Sequence, residues 1–218
     1  LVDCYKAPCK DGGCPINQQV PEYLKLVQQK EYDKAFEVIA NDNTAPTILG
    51  ELCAHYCQDH CTRVDYEKTM QIRDMKLIAA ENAQDKFIET IKETEIKSDK
   101  KVLAIGAGPG GIAAASYLRR NGVDVTVYEK LAKPYGIVSH IIPEFRISDE
   151  EIERDYNIAV KQGVKFEFNH EVTEKYEDLK KEFDYIIVAT GAWKEGISPV
   201  EKGSENIIDA LDFLWYVR

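Results

Sequence analysis

The stretch KVLAIGAGPGGIAAASYLRRNGVDVTVYEK, residues 101–130, decides the fold of this chain. It opens with the apolar run 102–105, which is typical of a buried strand. A glycine-rich turn follows, and then GIAAASYLRRNG has the spacing of a helix. A second apolar run ends in YEK. This order predicts strand, turn, helix and a second strand parallel to the first.

The glycines of the turn form the pattern GxGxxG with Gly106, Gly108 and Gly111. The first glycine allows a tight turn, the second lets the backbone approach a pyrophosphate, and the third lets helix and strand pack closely. Glu129 ends the second strand, where a carboxylate can bind the ribose hydroxyls. The pattern therefore predicts a dinucleotide site. FAD and NAD both remain open, whereas the carboxylate would repel the 2′-phosphate of NADP.

Two further strands are predicted downstream, at VKFEFN (164–169) and at 185–188 in FDYIIVATGA. A helix in ISDEEIERDYNIAVKQG precedes the first of them. The last strand ends in Ala189, Thr190 and Gly191, which would bring its backbone near the cofactor. The second half of the chain is thus expected to be an α/β domain with a parallel sheet.

The first half is different, because it is helical in pattern and contains all six cysteines. Apolar residues recur at helical spacing after Pro21, again in EYDKAFEVIA, and over a long helix at 70–92. The charged stretch 93–100 is expected to be a linker. We therefore predict a helical module at 1–95 and an α/β domain at 101–218. The cysteines are Cys4, Cys9, Cys14, Cys53, Cys57 and Cys61.

These cysteines allow several interpretations. Iron–sulfur ligation is favoured, since thiolates hold such clusters and a proline follows Cys14, as is typical of these sites. Zinc is an alternative, with the second cysteine group joined by His55 or His60. Buried thiols or disulfides are a third. His140 and His170 are isolated in sequence and are expected to be surface or hydrogen-bonded histidines.

Composition limits the partners. The chain has 218 residues, a 44% apolar fraction and a net charge of −10. The negative charge disfavours nucleic acid and anionic membranes, and no apolar run approaches the ~20 residues that span a bilayer. We expect no nucleic-acid binding, no membrane insertion and a cytoplasmic location.

Together, GAGPGG, YEK, KPYGIVSHIIPEFRI, ATG and ENIIDALDFL resemble the FAD half of the glutamate synthase small-subunit family. That family includes the N-terminal part of dihydropyrimidine dehydrogenase, and the resemblance extends to a selenate reductase flavoprotein subunit. It implies a helical, ferredoxin-like iron–sulfur module followed by a Rossmann-like FAD domain. It also implies FAD, up to two [4Fe–4S] clusters, and electron flow between NADPH, FAD, the clusters and a redox partner subunit or domain. The NADPH domain would be missing here, so we expect an inactive fragment.

The resemblance also assigns cofactor-binding residues. The glycine-rich turn at the diphosphate is matched by Gly106, Ala107, Gly108, Pro109, Gly110 and Gly111, and the ribose position by Glu129 with Lys130 next to it. The flavin side is matched by Gly136, Ile137 and Arg146, the adenine by Val172, and the ATG contact by Thr190 and Gly191.

For the clusters, the resemblance implies that Cys4, Cys9 and Cys61 bind one cluster, with a fourth ligand expected just before Leu1. Cys14, Cys53 and Cys57 would bind the other. Its fourth ligand would be a family glutamine whose position aligns with Lys76, five residues after Gln71. An ammonium is no iron ligand, so each cluster lacks one ligand.

The alternative function is an NAD-dependent dehydrogenase with a zinc-bound helical appendage.

Overall fold

The computed structural model describes residues 4–193, 203 and 206–218. Contacts divide the chain into two compact units. The helical unit comprises Leu1–Thr94 with Glu150–Gly163, and the α/β unit comprises Glu95–Asp149 with Val164–Arg218. The predicted fold class, α followed by α/β, is confirmed. Glu205, the first residue of the ENIIDALDFL motif, lies outside the described residues.

Short helices build the first part of the chain. Their bounds are α1 Val20–Gln28, α2 Tyr32–Asp42, α3 Pro46–Leu52, α4 Tyr56–Asp59, a 3-10 turn at Thr62–Asp65, and α5 Ile72–Thr90.

The predicted helices α1 and α2 form because their apolar residues fall on one side, whereas the buried side of α5 also includes Lys76 and Gln84. Tyr23 and Val27 of α1 pack with Ile39 of α2 and Ile72 of α5 in one buried cluster. Helix α3 was not predicted, since NDNTAP resembles a break; it begins at Pro46, where a proline suits the first helical turn. Among the described residues, no helix is long and apolar enough to cross a bilayer.

The second part of the chain alternates strands and helices. Their bounds are β1 Lys101–Ile105, α6 Pro109–Arg120, β2 Asp124–Glu129, α7 Ile137–His140, α8 Asp149–Lys161, β3 Lys165–Phe168, α9 Tyr176–Leu179, β4 Tyr185–Val188 and α10 Ala210–Val217.

The four strands form a parallel sheet in the order β3-β2-β1-β4. Strand β1 lies between β2 and β4, with Leu103 opposite Thr126 on one side and Ile186 on the other. Because all strands run the same way, their carboxyl ends share one edge. The glycine turn, Glu129 and the ATG segment all follow strands at that edge, which is where ligands bind in such sheets.

Helix α8 belongs to the helical unit by its contacts. Ile158 packs in a cluster with Phe36, Ala80 and Ala83. The sequence analysis placed this helix within the range 101–218, because it stands between predicted strands. The two predicted domain ranges, 1–95 and 101–218, stay predictions.

Candidate cofactor sites

Two glycines of the turn are required by the packing of the protein itself. Gly106 has φ of +105°, and a Cβ atom there would lie 2.5 Å from the carbonyl oxygen of Ala189. A Cβ atom at Gly111 would lie 1.9 Å from the carbonyl oxygen of Gly106. Neither position accepts a larger residue, because the β1–α6 turn, α6 and the end of β4 lie in direct backbone contact.

Gly108 and Gly110 are different, since the protein does not need them to be glycine. Gly108 has an ordinary φ of −70°, and a Cβ there would meet nothing closer than 4.0 Å; at Gly110 it would meet nothing at all. Both line an open cavity. The first backbone N–H groups of a helix lack intrahelical partners, so this bare turn fits a phosphate group.

The cavity at the carboxyl edge of the sheet has a volume of about 970 Å³, which is large for a small-molecule site. It lies wholly within the α/β unit. The predicted residues that line it are Gly106, Gly108, Pro109, Gly110, Glu129, Lys130, Gly136, Ile137, Val172, Thr190 and Gly191. Three other predicted residues do not line it. Ala107 and Gly111 are buried beneath the turn, and Arg146 is exposed on the loop after α7.

Glu129 has contacts that the sequence pattern did not indicate. Its side chain is buried, with an exposed fraction of 7%. Oε2 accepts a hydrogen bond from the N–H of Ala107 at 2.7 Å, and Oε1 accepts one from the N–H of Leu131 at 2.9 Å. A carboxylate has about four lone-pair sites, so it can still accept bonds from a ligand. Glu129 therefore holds the glycine turn in shape as well as facing the cavity.

The loop before α7 is strained in the same region. Tyr135 and Gly136 both have positive φ, +66° and +51°, and Tyr135 is buried. The N–H of Tyr135 donates to the carbonyl oxygen of Ala107 at 2.7 Å. Left-handed backbone at a bulky residue persists only where surrounding contacts impose it. This loop is thus bound to the glycine turn, and Gly136 lies at the cavity wall.

Sequence reasoning missed aromatic residues of the cavity. Tyr128, His170 and Trp193 all line it. The rings of Tyr128 and His170 stack with centroids 3.9 Å apart. The sequence could have indicated His170 as a cavity residue, because it follows β3 at the carboxyl edge of the sheet. His140, in contrast, bonds the carbonyl oxygen of Gly136 at 3.0 Å through Nδ1.

In the helical unit, the first cysteine set contains Cys4, Cys9 and Cys61. All three line one cavity of about 470 Å³. Burial raises the pKa of the Cys9 thiol, and the charges of Cys61 and Cys4 raise it further. Cys4 Sγ lies 3.6 Å from the hydroxyl of Thr62. These thiols are therefore neighbours although Cys61 is far from the others in sequence.

The second set contains Cys14, Cys53 and Cys57. Burial, followed by the charges of Cys53 and Cys14, raises the pKa of Cys57 to about 11. The same three thiols act on Lys76 of α5. The structure thus brings together the cysteine triads that the family resemblance implies, with the lysine beside the second.

The donor set of thiols fits an iron–sulfur cluster. Among the described residues, no three His, Cys, Asp or Glu side chains converge closely enough to hold one metal ion. A four-iron cluster spreads its ligands more widely, because each iron takes its own thiolate. All six cysteines are free thiols, so each of the two predicted sets offers three thiolates.

The fold and these sites define a class of protein in which a cysteine-rich helical unit accompanies a nucleotide-binding α/β unit. Residues 100–214 match the family described as pyridine nucleotide-disulphide oxidoreductase. Residues 1–88 match the one described as dihydropyrimidine dehydrogenase domain II, 4Fe-4S cluster. The chain belongs to the pyridine nucleotide-disulphide oxidoreductase family, in the form that carries this 4Fe–4S domain, which confirms the resemblance to the glutamate synthase small-subunit group.

Curated relatives match almost the whole chain. YgfK of Escherichia coli (strain K12) is 39% identical over 98% of the chain and 21% of its own length. The NADPH-Fe(3+) oxidoreductase subunit beta of Geobacter sulfurreducens is 29% identical, covering 98% and 33%. The glutamate synthase [NADPH] small chain of Bacillus subtilis is 28% identical, covering 98% and 45%. The chain thus spans less than half the length of each of these relatives.

A solved structure of 2-naphthoyl-CoA reductase shares the fold. Its TM-score is 0.50 at 23% identity, and the match covers 92% of this chain and 28% of that one.

Proposed function

We propose that the chain is the flavin and iron–sulfur part of an oxidoreductase that passes electrons between NAD(P)H, FAD, two [4Fe–4S] clusters and a redox partner subunit or domain. The α/β unit would bind FAD and the helical unit would bind the clusters. The observation that carries this proposal is that six free thiols lie within one helical unit, three of them lining one cavity and the other three acting on the buried Lys76.

FAD binding is supported by the cavity at the carboxyl edge of the sheet. The bare turn at Gly108 and Gly110 would bind the diphosphate through backbone N–H groups. Glu129 would accept hydrogen bonds from ribose hydroxyls with its remaining lone pairs. The flavin would supply the hydride and single-electron chemistry. The protein residues would bind and orient it, with Gly136 and Thr190 in the wall of the same cavity.

Cluster binding is supported by the two triads. Each triad would supply thiolates to three irons of a cubane. Both thiol sets, and the cavity that the first set lines, lie in the helical unit, in the region that matches the 4Fe-4S domain family.

The electron donor and partner rest on the relatives. Two of them carry NADPH in their names, which supports NADPH as the donor. Free cysteines favour a reducing compartment, so we place the protein in the cytoplasm. Selenate, which the resemblance suggests, is one acceptor to test with the complete enzyme.

The test is cofactor analysis on anaerobically purified protein. We expect FAD in the supernatant after denaturation, together with iron and acid-labile sulfide in equal amounts. NAD without flavin would overturn the FAD assignment. Zinc without sulfide would overturn the cluster assignment and favour the dehydrogenase with a zinc-bound appendage.

A further inference from the structure

A lysine is buried in the interior of the helical unit. Lys76 of α5 has an exposed fraction of only 4%. Lysine is almost never buried to this degree unless it is paired, because removing an ammonium from water is costly.

The groups that face Lys76 are acidic. Cys57 packs against the apolar cluster that holds Ile72 and Ala79 of the same helix. Burial lowers the pKa of Lys76, and the charges of Cys53, Cys57 and Cys14, followed by that of Asp155, oppose this and favour the ammonium. Asp155 already accepts hydrogen bonds from the N–H groups of Thr47 and Ile48 and from Gln84. The thiols of the second triad are therefore the main counterpart of the ammonium.

The first triad has no comparable cation. Arg63 lines its cavity, but Arg63 is paired with Glu67 at 2.7 Å and its side chain is one-third exposed. Lys25, also at that cavity, is exposed. The two triads thus differ in electrostatics, because Lys76 beside the second is almost fully buried, whereas Arg63 beside the first has a buried Nε but is one-third exposed and ion-paired.

We infer that Lys76 is a positioning residue of the second cluster site, where its ammonium lies against the thiolates and raises the reduction potential of that cluster. This inference rests on the proposed function. Reduction adds one electron to the cluster and makes it more negative. A fixed positive charge in a low-dielectric interior stabilises the more negative state, and charge near a cluster is one of the factors that set its potential.

The test compares three variants, each purified anaerobically. Lys76→Met removes the charge with little change of volume, and Lys76→Arg keeps the charge. Lys86→Met is the matched control, because Lys86 lies on the same helix but is exposed and paired with Asp33. Iron and sulfide analysis reports cluster content, and a dithionite titration followed by electron paramagnetic resonance reports each potential.

We expect Lys76→Met to retain iron and sulfide while one cluster becomes at least tenfold harder to reduce, a fall of about 59 mV for a one-electron couple. Lys76→Arg should keep most of the original potential, and Lys86→Met should leave both potentials unchanged. Loss of one cluster in Lys76→Met but not in Lys76→Arg would also support the role of the charge.

Unchanged potentials in a fully loaded Lys76→Met protein would overturn the inference while the proposed function stands. Loss of one cluster in both Lys76 variants would overturn it too, since the role would then be steric. Wild-type protein without iron and sulfide would instead refute the proposed function, and the inference with it.

Discussion

At the scale of single residues, the glycine turn contains two kinds of glycine. Some are required by the packing of the protein, and others would be required only to leave space for a bound ligand. Gly111 is in the first group, because a side chain there would overlap the backbone of Gly106. Gly108 is in the second, since its Cβ would project into the cavity without touching the protein. This difference gives a test that separates binding from folding.

We expect Gly108→Ala to unfold at nearly the wild-type temperature but to lose at least about tenfold in FAD affinity, because the methyl group occupies the space of the phosphate. Flavin content and thermal unfolding of the same sample are the measurements. Gly111→Ala is the comparison and should be destabilised by roughly 1–3 kcal/mol or more through overpacking. Full flavin retention in Gly108→Ala would refute the phosphate role of this turn.

Glu129 gives a second residue-scale prediction. Glu129→Ala leaves the N–H groups of Ala107 and Leu131 without their carboxylate, and hydrogen bonds to a charged group contribute roughly 1.5–3 kcal/mol each. We therefore expect lower stability in urea even without cofactor, in addition to weaker FAD binding. A variant that loses FAD but keeps its full stability would show that these two hydrogen bonds contribute little to the fold.

At the scale of elements, helices α3, α5 and α8 meet at one buried carboxylate. Asp155 of α8 is fully buried and binds the first N–H groups of α3, Thr47 at 3.1 Å and Ile48 at 2.7 Å. Gln84 of α5 donates to the same carboxylate at 2.8 Å. A helix start is thus capped by a residue more than a hundred positions away, which explains why α8 groups with the helical unit.

This cap predicts a pH dependence. Burial, which outweighs the hydrogen bonds from Ile48 and Thr47, raises the pKa of Asp155 to about 6, above an ordinary aspartate value of about 3.9. The folded state then holds the proton more tightly than the unfolded state between these values. The contribution of Asp155 to stability is full below about pH 4 and falls as pH rises toward 6, by at most about 1.4 kcal/mol per pH unit.

The measurement is urea unfolding of the wild type and Asp155→Asn at about pH 4.5, 6 and 7.5. These values span the pH range over which the shifted pKa acts. The stability difference between the two proteins should shrink from the lowest pH to the middle one and then stay level. A difference that stays level or grows with pH would mean that the folded-state pKa of Asp155 is not raised and that its three donors hold the carboxylate in its ionised form.

At the scale of the whole molecule, the helical unit has two sources of stability, an apolar core and the proposed clusters. Buried side chains of α1, α2 and α5 form a cluster of their own, and burial of such side chains contributes roughly 1.5–3 kcal/mol each. We expect removal of iron by an oxidant and a chelator to abolish the visible absorbance while most of the far-ultraviolet circular dichroism remains. Collapse of the helical signal on iron removal would mean that the clusters, and not the core, maintain the unit.

Much of the architecture was determined by the sequence alone. The order of strand, GxGxxG turn, helix and strand at 101–130 identified the α/β fold, because a few consecutive residues dictate that backbone geometry. Apolar spacing identified α1, α2 and α5, and the cysteine pattern with the later motifs indicated the family. These signals are local, so they can be recognised without knowing what packs against them.

Only the tertiary structure decided the contacts between distant segments. It placed Lys76 beside Cys14, Cys53 and Cys57, gave Glu129 the N–H of Ala107, and brought His170 to the wall of the cavity. It also left Arg146 exposed and joined α8 to the helical unit through Asp155. None of these follows from spacing along the chain, because burial and charge depend on which side chains meet when separate elements pack.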